Sequence, residues 1–82
     1  MTRDEAKSWK KGKQFRLTTH TLAIQAIDGQ HLPVTLGANT IVELTREPIA
    51  GNPLLDITAN GKPLLIFMQD ILTRGEELTG GS

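Results

Sequence analysis

The dipeptide Asn60-Gly61 stands between two runs of apolar residues, and it restricts the fold of this chain more than any other feature. A two-residue hairpin turn of type I′ needs positive φ at both central positions, and Asn followed by Gly adopts that conformation at the least cost. The runs on either side, 54–58 and 64–68, have the length of strands. The sequence therefore predicts a β-hairpin with strands at about 54–59 and 62–68.

An earlier hairpin is predicted around Asp28-Gly29, which also tolerates positive φ. The residues on either side alternate with a period of two, as strands do. Segment 40–46 adds a short strand rich in β-branched residues, and the prolines and glycine of 47–53 predict a loop after it. The residues of the earlier hairpin that this pattern predicts to point inward are Leu22, Ile24, Ala26, Leu32, Val34 and Leu36.

Alternation also predicts the centre of the core and the end of the last strand. Pro33 and Pro63 are expected at strand starts or sheet edges, where a missing N–H costs little. After Met68 the alternation is lost, and Asp70 is predicted to cap one helical turn that ends at Gly75. The residues predicted to form the core are Val42, Leu44, Leu55, Ile57, Leu64 and Ile66, all of which follow residue 16.

Five short strands and one helical turn predict a mainly β fold, a small five-stranded SH3-like half-open barrel. We place this barrel at 17–78, after a basic N-terminal arm or short helix at 1–16 and before a disordered tail at 79–82. The arm has helix-start residues in Thr2 and Glu5, at the spacing of a capping box. A chain of 82 residues has room for one domain only, and without cysteine its core holds by packing and hydrogen bonding.

Four segments resemble a group of short bacterial proteins with SH3-like barrels. They are NPLLDI at 52–57, NGK at 60–62, IFMQDI at 66–71 and RGE at 74–76, and the likeness covers about 20–77. The resemblance implies the SH3-like fold. It implies no catalytic residue, because the group has no established activity to transfer.

The charge of the chain sums to zero but is unevenly distributed. Residues 1–16 hold six basic and two acidic side chains, a net charge of +4, and residues 17–82 hold three basic and seven acidic ones, a net charge of −4. A basic arm of this kind can contact an anionic partner, or it can be held on the acidic body of its own chain. We favour the second interpretation.

Two of the three aromatic residues, Trp9 and Phe15, belong to the arm, where they either dock onto the barrel or contact a partner. Docking is the commoner outcome for a tryptophan. The turn at 69–74 also has two interpretations: Arg74 pairs with Asp70, or Gln69 and Arg74 project together beside the loop at 47–53. The candidate partner-binding residues are Trp9, Lys10, Lys11, Lys13, Phe15, Arg16, Gln69 and Arg74.

Residues suited to catalysis are scarce. There is no cysteine or tyrosine, the only serines are Ser8 and Ser82, and no glycine-rich nucleotide-binding motif occurs. His20 and His31, with Asp28, are a weak candidate metal site, since two histidines beside a surface hairpin are far more often solvated. We therefore expect no enzymatic activity, no cofactor and no metal.

The sequence favours a non-enzymatic binding module that contacts a protein partner or a second copy of itself. The alternative is a small barrel that binds nucleic acid through the basic arm, an Sm-like ring being one variant of it. No apolar run reaches the length of a signal peptide or a membrane span, and we expect a cytoplasmic protein.

Overall fold

Both predicted turns form two-residue hairpins in the computed structural model, which describes residues 9–78. Asp28 and Gly29 have φ angles of 50° and 77°, and Asn60 and Gly61 have φ angles of 54° and 78°. Positive φ at both positions is the signature of a type I′ turn, whose twist matches that of the flanking strands. The two hairpins predicted from the sequence are confirmed.

The described residues form one antiparallel sheet and one short helix, so the mainly β prediction is confirmed. The order of the strands in the sheet is β3-β2-β6-β5-β4-β1-β7, which leaves β3 and β7 as its two edges. Helix α1 (Met68–Arg74) lies between the last two strands of the chain. The strands are β1 (Gln14–Leu17), β2 (Thr21–Ile27), β3 (Gln30–Leu36), β4 (Ile41–Leu44), β5 (Leu54–Ala59), β6 (Lys62–Phe67) and β7 (Gly75–Leu78).

The five predicted strands correspond to β2 through β6, and two short strands come in addition. β1 pairs with β4 on one side and with β7 on the other. Residues 14–16, which the sequence prediction placed in the arm, are the first three residues of β1. The capping box of Thr2 and Glu5 and the predicted tail at 79–82 lie outside the described residues.

One core is enclosed by the inner side chains of the sheet together with Trp9 and Ile71. The six residues predicted for its centre are all buried, which confirms the alternation in β4, β5 and β6. Trp9 and Phe15, which precede residue 17, are buried in the same core. Their rings meet edge to face, with centroids 4.7 Å apart.

The predicted inner face of β2 is also wrong. Leu22 lies opposite Thr35 and is 57% exposed, whereas Ala23 lies opposite Val34 and is buried. A two-residue turn at Asp28-Gly29 fixes this register, so Leu22 and Val34 cannot share a face. The alternation could not decide the matter, because β2 carries apolar residues on both of its faces.

Helix α1 begins three residues earlier than predicted, since its N-cap is Phe67 instead of Asp70. Its N-cap is Phe67 with no side-chain cap hydrogen bond, and Asp70 lies in the first turn rather than at the cap. The N–H of Met68 instead donates to the carbonyl oxygen of Pro53 at 2.8 Å. Gly75 ends the helix in an extended conformation, φ −101° and ψ 145°, and starts β7. No helix in 9–78 is long and apolar enough to cross a membrane.

Candidate functional site

The outer surface of the sheet is apolar over β2, β6 and part of β5. Because Leu64 and Ile66 point into the core, Leu65 and Phe67 point outward, and Ile24 shares the face of Leu65, its cross-strand partner. Leu54 lies opposite Phe67 on β5. The same register sets Leu22 of β2 level with Phe67 on the other side. We call this set the apolar face: Leu22, Ile24, Leu54, Leu65 and Phe67.

The outer surface of β4, β1 and β7 is polar, and its charges are satisfied within the chain. Arg16 contacts Glu76 at 2.9 Å and donates to Asn39 Oδ1 at 2.8 Å. Gln14 Nε2 donates to Glu43 Oε1 at 3.1 Å. The outer surface is therefore divided into an apolar half and a polar half.

A groove of about 410 Å³ adjoins the apolar face where β6 passes into α1. Phe67 belongs to both, so the groove and the apolar face form one continuous surface. Its most exposed large apolar side chain is Ile49, at 53%. The groove is lined by residues 48–53 of the loop and by Phe67, Met68, Gln69 and Leu72.

Hydrogen bonds hold the loop wall of this groove in place. The Asn52 N–H donates to the carbonyl of Ile49 at 3.0 Å, and the Leu54 N–H donates to Asn52 Oδ1 at 2.9 Å. The Met68 N–H ties the other end of the loop to α1 through Pro53. Since proline fixes its own φ as well, the groove is formed before any ligand arrives.

Exposed apolar residues also occur at the tip of the β2–β3 hairpin. Ile27 and Leu32 are each 43% exposed, but they point to the opposite side of the hairpin from Leu22 and Ile24. Strand β6 pairs with β2 only at Ile24, away from this tip. No neighbouring strand therefore extends the apolar surface of the tip. The apolar face with its groove is the larger candidate site.

The aromatic residues predicted to bind a partner are not available on the surface. Trp9 is 3% exposed and Phe15 is 1% exposed, so neither ring can stack on a partner while the fold is intact. The docked alternative for these residues is confirmed. The Trp9 indole N–H has no acceptor among the described residues.

The basic residues predicted to bind a partner divide into two pairs. Lys13 Nζ lies 2.9 Å from Glu77, and Arg16 contacts Glu76, so both cations are held by the acidic residues of β7. Lys10 and Lys11 are exposed. These contacts favour the interpretation in which the basic segment is held on the body of its own chain.

Gln69 and Arg74 are not brought together. Gln69 lines the groove beside the loop, but Arg74 Nη1 donates to the carbonyl of His20 at 3.2 Å. Positions five apart on an α-helix are separated by about 140° around its axis, so the two side chains leave α1 in different directions. The predicted pairing of Arg74 with Asp70 is replaced by this backbone contact.

The apolar face was missed at the level of sequence, although the signal for it is present. An antiparallel strand with one solvated face alternates apolar and polar residues. Strand β6 instead reads Leu-Leu-Ile-Phe at 64–67, and β2 carries Leu22, Ala23 and Ile24 in succession. Apolar residues on both faces of two neighbouring strands indicate that a second apolar surface lies outside the core.

Residues 9–78 hold no group of three or more His, Cys, Asp or Glu side chains that could bind a metal ion. Comparisons of the chain with protein-family models, with curated proteins and with solved structures found no match. The site is therefore interpreted from its own geometry.

Proposed function

We propose that this chain is a non-enzymatic binding module, a small accessory or regulatory protein that holds a protein partner on the apolar face and its groove. The observation that carries the proposal is the continuity of exposed apolar side chains across β2, β6, β5 and the loop at 48–53. Contiguous apolar surface at the outside of a small domain marks an interaction site, whereas single exposed apolar residues do not.

The fold in this proposal is an SH3-like half-open barrel whose five principal strands are β2 to β6. Two observations support it: the inner faces enclose one core, and α1 returns the chain from β6 so that β7 can pair with β1. This arrangement gives the apolar face a rigid base, because Leu64 and Ile66 anchor β6 from the other side.

The energetics of this surface suit recognition. Full burial of a Leu or Phe side chain stabilises by about 1.5–3 kcal/mol, so covering Leu22 and Phe67, which are roughly half exposed, contributes about 1 kcal/mol each. The neighbouring Ile24, Leu54 and Leu65 are half-buried and provide fixed contacts around them. Phe67 is the aromatic residue at the centre of the surface, where binding energy tends to concentrate.

Photo-crosslinking with a benzophenone amino acid tests this proposal. We would place it at Leu22 or Phe67 on the apolar face, and at Ile41 as a matched control. Ile41 is 41% exposed on the outer surface but lies opposite Arg16 in the polar half. Each variant is irradiated as the purified chain and in extract of the native cells.

We expect discrete protein adducts from positions 22 and 67 and none from position 41. Equal adducts from all three positions, or none from any, would contradict the proposal. Circular dichroism spectra and melting curves of the variants establish that all three are folded, since the replaced side chains lie outside the core.

A further inference from the structure

We propose that the partner of the apolar face is a second copy of this chain, packed face to face about a two-fold axis; this inference rests on the proposed function. The axis runs parallel to β6 and passes close to Phe67. Rotation about this axis places β2 of each copy over β5 and over the loop at 48–53 of the other copy. Leu22, the most exposed large apolar residue of β2, then faces Leu54 and the groove of its partner.

The edges of the sheet are poorly suited to association. The turn at Asp28-Gly29 makes Ile27 and Gln30 a hydrogen-bonded pair. Since hydrogen-bonded and non-hydrogen-bonded pairs alternate along an antiparallel ladder, Ile24 and Pro33 form a non-hydrogen-bonded pair. The Pro33 nitrogen therefore faces the open edge of β3, where proline has no N–H to offer. The other edge, β7, has only four residues, two of them glutamates. Both features oppose pairing of edges between chains.

The size of the surface fits a reversible dimer. Three strands, β2, β6 and β5, span about 14 Å at about 4.8 Å a strand, and six residues extend about 20 Å, which gives roughly 280 Å² per copy. Two copies then bury about 560 Å², and the walls of the two grooves raise the total toward the roughly 1,000 Å² of a specific interface. Association at this lower limit is expected to be weak and concentration-dependent.

The charges of the molecule permit the same surface to meet itself. Asp56, which projects from β5 beside Leu65, has Arg46 at 3.9 Å, so the apolar face carries no uncompensated cluster of one sign. The formal net charge of the whole chain is zero. Two copies therefore approach without the long-range repulsion that a highly charged chain would experience.

Sedimentation equilibrium of the full chain, from about 10 μM to about 1 mM, tests the proposal. We expect the mass to rise with concentration from 9.0 kDa toward twice that value. Leu22→Ser and Phe67→Ser should each weaken dimerisation at least tenfold, and the matched control Ile41→Ser should leave it unchanged. Fluorescence of Trp9, the single tryptophan, which is buried, reports whether each variant is folded.

Disulfide trapping tests the orientation of the two copies, since the chain has no cysteine of its own. Equal amounts of the Leu22→Cys and Leu54→Cys variants are mixed and oxidised, and we expect the mixed disulfide dimer to exceed the two homodimers combined, which random pairing would only equal. Ile41→Cys mixed with either variant should give no such excess. A mixed dimer no more abundant than the two homodimers combined would overturn the proposed axis.

A chain that remains at 9.0 kDa up to 1 mM, or a dimer weakened equally by Ile41→Ser, would overturn the self-association proposal. That result is distinguishable from failure of the proposed function. A monomeric chain that crosslinks from positions 22 and 67 to another protein retains the function with a different partner, whereas a monomeric chain without adducts loses both.

Discussion

The backbone carbonyl of Ile71 restricts which residue can occupy position 75. A Cβ added to Gly75 would lie 2.7 Å from the Ile71 oxygen, which α1 and the Gly75 N–H hold in place. Since the obstructing atom is backbone, it cannot move aside as a flexible side chain would. We expect Gly75→Ala to lower the free energy of unfolding by about 1–3 kcal/mol, the usual cost of overpacking.

Gly37→Ala is the matched control for this prediction. A Cβ at position 37 would meet no atom within 4 Å, and Gly37 is not among the glycines with positive φ. Its replacement should be neutral or stabilising by up to about 1 kcal/mol, because the unfolded chain loses freedom. Urea denaturation followed by Trp9 fluorescence measures both variants, and equal stabilities for the two would contradict the role of the Ile71 carbonyl.

Gly61 is constrained by its own backbone rather than by its neighbours. Its φ of 78° is one that side chains with a branched Cβ strongly disfavour, although the space around it is open. We expect Gly61→Val to cost about 1–2 kcal/mol of stability and Gly61→Asn to cost clearly less, since asparagine tolerates this conformation. Thermal melting compares the stability lost in the two variants, and a melting curve unchanged by Gly61→Val would count against the strained turn.

At the scale of elements, β1 is a structural strand and not part of a dispensable arm. It lies between β4 and β7, and Phe15 is among the most deeply buried side chains. Phe15→Ala should destabilise the fold by about 3–5 kcal/mol, a large share of the stability of a domain this size. Removal of residues 1–16 should unfold it.

Arg16→Ala is the matched control on the same strand, because Arg16 projects outward and its ion pair with Glu76 is exposed. An exposed pair of this kind contributes at most about 1 kcal/mol. Circular dichroism at increasing urea concentration compares the two variants. A folded chain after removal of residues 1–16 would show that β1 is dispensable after all.

The elements that local chemistry determines were predictable, and those that depend on distant partners were not. Asn60-Gly61 and Asp28-Gly29 define their turns by positive φ alone, so both hairpins and the core of β4 to β6 followed from the sequence. Strands β1 and β7 have four residues each and contain charged side chains, and they exist because each pairs with a strand far away in the chain.

The candidate site was less predictable than the fold for the same reason. The groove forms where the loop at 48–53 meets α1, and the hydrogen bond from Met68 to Pro53 that closes it joins residues fifteen positions apart. The apolar face depends on which side of β2 faces the core. The register of the hairpin determines which side of β2 faces the core. The sequence of β2 does not reveal that side, because both of its faces carry apolar residues.

At the scale of the whole molecule, the charge distribution separates protein binding from the alternative of nucleic-acid binding. Binding to duplex DNA releases counterions, and log K falls with log salt at about −0.9 for each phosphate neutralised. An arm with four free cations would give a slope of roughly −3.6. Lys13 and Arg16 are already paired with Glu77 and Glu76, so the described part of the arm offers Lys10 and Lys11.

We therefore expect no measurable binding of the full chain to single- or double-stranded oligonucleotides at about 150 mM salt, since Glu77 and Glu76 hold Lys13 and Arg16 and residues 17–82 carry a net charge of −4. Fluorescence-anisotropy titrations at several salt concentrations measure the binding constant and its dependence on salt. The control is the double variant Lys10→Gln with Lys11→Gln, which leaves the ion pairs of β1 and β7 in place. Binding by the full chain with a slope near −3.6, reduced by about 1.8 in the double variant, would establish the basic segment as a nucleic-acid site and would make the apolar face secondary to it.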